Sequence, residues 1–187
     1  MAKVNRINSP FAATVFAVVL ACARTLPAQT PKITEYQVKA AYLVNFGRFV
    51  EWPARLAPAS SDLFNICVLG QDSFGADLDS AVAGETIGRA HMLAKRISRP
   101  QEAADCRVLF ITASEAGQWK EILAALGKLS ILTVSDMPQF AQHGGMIQFL
   151  RDGNRIRFDI NLAATQRAGL NLSSELLKVA VTVNKNP

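Results

Sequence analysis

Leu63-Phe64-Asn65-Ile66-Cys67-Val68-Leu69-Gly70 is an almost unbroken apolar run that enters a glycine. A strand with one face in water alternates apolar and polar residues, whereas a strand covered on both faces reads as a continuous apolar run. Cys106 to Thr112 (CRVLFIT) is a second such run and Ser130 to Val134 (SILTV) a third, shorter one. Between the first two lie a short helical piece around Phe74 to Val82 and a weakly alternating strand candidate, Glu85 to Ile97, ended by Arg99-Pro100. Between the second and third, Glu115 to Leu126 is amphipathic at helical period and stops at Gly127. Buried strands separated by crossovers and helices point to a parallel sheet covered on both faces.

Working toward the C-terminus, Met137 to Gln142 reads as a helical turn ending in His143-Gly144-Gly145. Met146 to Leu150 and Arg155 to Ile160 then flank Asp152-Gly153-Asn154, a hairpin signal, which predicts an antiparallel edge on the sheet. Leu162 to Gly169 and Ser174 to Val181 close the chain as helices, with Ser173 or Ser174 capping the last. Toward the N-terminus, Thr34 to Trp52 is helical, with Thr34 as N-cap and Pro53 beyond its end. Tyr36, Ala40, Leu43, Val44, Gly47 and Val50 share one face of this helix; Val38, Tyr42, Phe46 and Phe49 form a second stripe across Lys39. A helix apolar on two sides is buried twice or lends one stripe to a partner, and Tyr42, Phe46 and Phe49 are the expected partner or dimer surface. The expected fold class is α/β. Residues 30–187 form a single-domain three-layer sandwich with a largely parallel central sheet, a C-terminal antiparallel hairpin and helices on both faces.

Of the 187 residues half are apolar, enough for one sizeable core and too many for a disordered chain. Lys3 and Arg6 precede an uncharged apolar run from Phe11 to Ala23, followed by the irregular Arg24 to Thr30. This is the layout of a secretory signal peptide over 1–28, with cleavage expected near 23 or 28. A lipoprotein anchor at Cys22 is the alternative, although Val19-Leu20-Ala21 is only a partial lipobox. The net charge of +5 shrinks once the signal is set aside, because losing Lys3, Arg6 and Arg24 leaves 17 basic against 15 acidic residues. No remaining segment concentrates Lys and Arg with interleaved aromatics, so no nucleic-acid partner is expected. With Cys22 in the signal, Cys67 and Cys106 remain as an even pair in an oxidising compartment, and a disulfide between two neighbouring strands is expected.

No catalytic constellation emerges. Gly70 to Gly75 has P-loop glycine spacing but continues Ala76-Asp77 without a lysine, and neither G-x-S-x-G nor G-x-G-x-x-G occurs. Ser114-Glu115 reads as a helix start. His91 and His143 are isolated, and no short chelating pair such as C-x-x-C exists, so neither metal nor cofactor is expected and the chain is not read as an enzyme. One polar cluster survives: Arg157, Asp159 and Asn161 share a strand face, with Arg167 just beyond. It is either a small-ligand site at strand ends or a charge ladder that blocks edge pairing.

Several segments, taken in order, resemble one family. These are Tyr36 to Phe46 (YQVKAAYLVNF) with Phe49-Val50-Glu51-Trp52-Pro53, Ile66 to Gly70, Leu132 to Asp136, Gly144 to Ile147, Arg157 to Asn161, Ala168-Gly169-Leu170 and Ser173 to Leu177. They are similar to the YfiR family of bacterial periplasmic proteins. The resemblance implies a periplasmic repressor that binds the periplasmic sensor domain of an inner-membrane diguanylate cyclase and is sequestered by an OmpA-like outer-membrane lipoprotein. It also implies an α/β fold and a homodimer. The alternative is a periplasmic small-molecule sensor without a cyclase partner. The resemblance further implies a second disulfide around the Gly144-Gly145 turn and the following hairpin, where this chain has no cysteine.

Overall fold

The first two apolar runs lie side by side as parallel strands in the middle of an eight-stranded sheet. The computed structural model describes residues 33–53, 62–127 and 129–185. The expected signal segment lies outside the described residues. In chain order the first elements are α1 (Glu35–Phe49), β1 (Val50–Glu51), β2 (Leu63–Leu69), α2 (Ala76–Val82), β3 (Thr86–Ile87) and β4 (Ala90–Ile97). They are followed by β5 (Cys106–Ile111), α3 (Trp119–Leu126), β6 (Leu132–Ser135), β7 (Ile147–Asp152) and β8 (Arg155–Asn161). The last are α4 (Leu162–Arg167), β9 (Asn171–Leu172), α5 (Ser174–Val179) and β10 (Val183–Asn184).

The sheet order is β10-β8-β7-β6-β5-β2-β4-β3. Strands β4, β2, β5, β6 and β7 are parallel, a doubly wound arrangement, and β8 joins β7 through the expected antiparallel hairpin. The continuous apolar runs serve two cores at once. Phe64, Ile66 and Val68 of β2 face one core with Val108 and Phe110 of β5, beneath α1 and α2. Cys67, Leu69, Leu109 and Ile111 face the other, beneath α3 and a 3-10 turn at Pro100–Asp105. Each fully buried Phe or Leu contributes about 1.5–3 kcal/mol from apolar burial.

Several local expectations change. The first helix stops at Phe49, because Val50 and Glu51 adopt extended geometry and pair antiparallel with Leu172 and Asn171. Its start is as expected: Thr34 and Gln37 form a reciprocal capping box. The strand expected over 85–97 divides into the two-residue β3 and β4, joined through Gly88 at φ +58°. The hairpin is not the sheet edge, since β10 adds to β8 in parallel register, Val183 opposite Ile160. Both edge strands are only two residues long, which limits edge-to-edge pairing with other chains.

Candidate functional site

The aromatic stripe on α1 divides. Phe46 has no exposed surface, its ring 5.2 Å from Phe158 and 5.9 Å from Phe149 between centroids. The expectation that Phe46 lies on a partner surface is corrected: β7 and β8 extend the sheet beneath α1, so the second stripe also faces core. Tyr42 is half-buried, packs against Phe46, Phe149 and Phe158, and donates its hydroxyl hydrogen to the Ile156 carbonyl at 3.3 Å. Phe49, at the helix end, keeps 38% of its surface exposed. Tyr42, Phe46, Phe49 and Phe158, together with Asn45, Glu175, Leu176 and Val179, line a groove of about 310 Å³ between α1 and α5. Val179 and Val181 are the other large apolar residues exposed near it, at 57% and 52%.

Lys39, which the sequence placed merely between two stripes, is 2% exposed. Its Nζ donates to Asp136 Oδ2 and pairs with Glu35 Oε1, both at 2.6 Å, and sits 4.6 Å from the Tyr36 ring centroid. The cluster ties α1 to the chain leaving β6. Burial alone would lower the Lys39 pKa, but hydrogen bonds to Asp136 and Glu35 outweigh it and the pKa is raised. The hydrogen bond from Lys39 holds the Glu35 carboxyl below its ordinary value. The i,i+4 spacing of Glu35 and Lys39 was the available signal. A depressed folded-state pKa means that the Glu35 contribution is complete above the unfolded value of about 4.3 and is lost as pH falls through the lower folded value. A raised one means that the Lys39 contribution is complete below about 10.4 and is lost as pH rises through the higher folded value. Urea midpoints measured against pH should therefore fall at both extremes, with Glu35→Gln flattening the acid limb; identical acid limbs in both proteins would refute the pairing.

Doubly wound sheets bind ligands outside the carboxyl ends of their strands where the strand order reverses. That point lies between β2 and β5, and the chain's own groups fill it. The Gln71 amide donates to Ser114 Oγ at 2.9 Å, Ser114 Oγ lies 2.8 Å from Thr112 Oγ1, and Ser114 donates to Glu115 Oε1 at 3.0 Å. Gly70 sits at φ +96°, and a Cβ there would overlap the hydroxyls of Thr112 and Ser114 and the Glu115 carboxylate. Ser114, expected to start a helix at Glu115, lies within a 3-10 turn at Ala113–Glu115 and accepts from the Gln71 amide across the crevice, and α3 begins only at Trp119.

Cys67 and Cys106 are disulfide-bonded with their Cα atoms 5.9 Å apart, bridging the middle of β2 to the start of β5 on the α3 face. Where the resemblance implies a second bridge, polar bonds hold the chain. The Ala141 amide donates to Gln148 Oε1 at 3.2 Å, and Asn161 Nδ2 donates to the Ala141 carbonyl at 2.7 Å. Asn161 also caps α4, its Oδ1 accepting from the Ala164 amide at 2.9 Å. Asn161 is thus committed to structure and 4% exposed, which removes it from the expected ligand cluster. Arg157 and Asp159 share its strand face, since Phe158 and Ile160 point into the α1-side core; one Asp159 carboxylate oxygen is buried with no hydrogen-bond partner. Arg167 is exposed on α4. His91 lies exposed on β4, and His143 stands 5.8 Å from the Trp119 ring. Among the described residues, no group of three or more His, Cys, Asp or Glu side chains could hold a metal ion.

A three-layer α/β domain whose strand-end crevice is closed by its own side chains, and whose apolar groove lies open between two helices, has the makings of a regulatory binding module. A profile of the YfiR/HmsC-like family matches residues 36–181, and the chain belongs to that family. Its members are periplasmic regulators of cyclic di-GMP signalling rather than enzymes. Among the described residues no helix is long and apolar enough to cross a membrane. No curated protein matches. Among solved structures, the chain is similar to a conserved domain protein from Vibrio cholerae O1 biovar El Tor str. N16961 (TM-score 0.56, 9% identity, 82% of this chain and 61% of that one). It is also similar to an ABC domain in complex with L-Trp from Streptococcus pneumonia (TM-score 0.51, 12% identity, 77% and 60%). The chain spans about three-fifths of each of those two proteins, and at these identities the likeness is one of fold.

Proposed function

We propose that the chain, exported by a signal peptide over residues 1–28, binds and represses the periplasmic sensor domain of an inner-membrane diguanylate cyclase. Release follows when an OmpA-like outer-membrane lipoprotein captures it. Membership of the YfiR/HmsC-like family supports the pathway. The observation that carries the surface is the apolar rim made by Phe49, Val179 and Val181 beside the groove between α1 and α5. Exposed aromatic and aliphatic side chains around a groove are the kind of anchor that dominates protein interfaces. A homodimer formed through the same rim would compete with the cyclase.

The test replaces Phe49, not the buried Phe46. Phe49→Glu is expected to keep its thermal midpoint, to weaken co-purification with the cyclase by tenfold or more, a size typical of about 1.4 kcal/mol, and to raise cellular cyclic di-GMP. Full repression by a normally expressed Phe49→Glu protein would move the interface elsewhere, and unchanged cyclic di-GMP on deletion of the gene would remove the cyclase from the account.

A further inference from the structure

We propose that the cleft between α3 and α4 binds a small amphipathic organic anion. Its acid group would lie among Lys120, His143 and Arg167 and its apolar body against Leu123, Ile131 and Met146. The cleft measures about 480 Å³, within the roughly 300–1,000 Å³ of small-molecule sites. Of the polar cluster expected from sequence only Arg167 lines it; Arg157, Asp159 and Asn161 do not.

Charge is the first argument. The three cation-capable side chains come from three different segments, α3, the turn before β7, and α4, and the lining includes no carboxylate. Several basic groups elsewhere are paired, Arg48 with Glu85, Arg89 with Asp62, Lys95 with Asp105, and Arg96 with Asp72 and Asp79, whereas Arg155, Arg157, Lys178 and Lys185 stand in no ion pair among the described residues but do not line this cleft. Lys120 and Arg167 have no ion pair among the described residues, and Lys120 only overlies the Trp119 ring at 5.7 Å. Two cations, Lys120 and Arg167, lining one cleft without a counter-charge favour an anion from outside.

The floor is the second argument. Ile131 and Met146 are 2% and 8% exposed, so the apolar wall belongs to the packed cores. Thr133, also lining the cleft, is 3% exposed; its Oγ1 accepts from the Met146 amide at 3.2 Å, and its hydroxyl hydrogen has no acceptor among the described residues. A buried donor left over at the base of an apolar cleft suits a polar atom on the ligand. Inorganic phosphate would leave the apolar wall wet, and a neutral hydrocarbon would leave the cations unanswered.

Calorimetric titration of the full exported protein with octanoate, octan-1-ol and inorganic phosphate separates these chemistries. Octanoate is expected to bind once per chain, with octan-1-ol and phosphate each at least about tenfold weaker, because each lacks one half of the recognition. Arg167→Glu should weaken octanoate about tenfold, and Ala124→Trp, a substitution at an exposed lining position, should abolish binding while the thermal midpoint stays put. No octanoate binding at millimolar concentration, equal binding of octan-1-ol or phosphate, or undiminished binding by folded Arg167→Glu would each overturn the proposal. None of these outcomes depends on the cyclase.

Discussion

Phe46→Ala is expected to lower the unfolding free energy by about 3–5 kcal/mol, the range for a large aromatic removed from a core that cannot close over the space. The ring is fully buried among Tyr42, Phe149 and Phe158, which come from α1, β7 and β8. Those neighbours are anchored by sheet pairing from Ile147–Ile160 to Asp152–Arg155, so they have little freedom to relax inward. Urea denaturation followed by circular dichroism reads the loss directly. Phe49→Ala, one helical turn along with 38% of its surface in water, should cost less than about 1 kcal/mol. Equal losses at the two positions would mean that the ring cluster is not the core it looks to be, and a silent Phe46→Ala would return that residue to the surface.

Cys67→Ala combined with Cys106→Ala should cost about 4 kcal/mol, the loop-closure value for a link across 39 residues. The bond joins adjacent parallel strands in the middle of the sheet, and the loop it closes contains α2, β3 and β4. Unfolding the wild type with and without dithiothreitol should reproduce the same difference, and alkylation of the unreduced protein should find neither thiol. A loss under about 1 kcal/mol in both experiments would show that the denatured chain is not much constrained by the link. The hydrogen bonds joining Ala141, Gln148 and Asn161 are insensitive to reductant, so reduction should act through this one bridge among the described residues.

The central strands were legible because continuous burial leaves a direct trace: a strand covered on both faces cannot alternate, and Leu63 to Leu69 and Cys106 to Ile111 do not. The hairpin turn and the Thr34 and Ser173 caps were legible for a similar reason, since each depends on residues three or four positions apart. The candidate site was less so. Ser114 looked like a helix cap because its neighbours in sequence fit that role, yet its partner is the Gln71 amide, 43 residues away. Asn161 looked like a ligand group because it alternates with Arg157 and Asp159, but a turn 20 residues upstream engages it.

Sequence alone determined that the chain forms a doubly covered, largely parallel sheet with a C-terminal hairpin, and that Cys67 and Cys106 can meet. Periodicity, capping and cysteine number are local or additive properties. Tertiary structure decided that both stripes of α1 face core with only Phe49 left in water, that Lys39 is buried between Glu35 and Asp136, that the crevice at Gly70 is filled, and that Lys120, His143 and Arg167 line one cleft. Each of these depends on the order and register of strands, and register brings together residues whose separation along the chain carries no periodic signal.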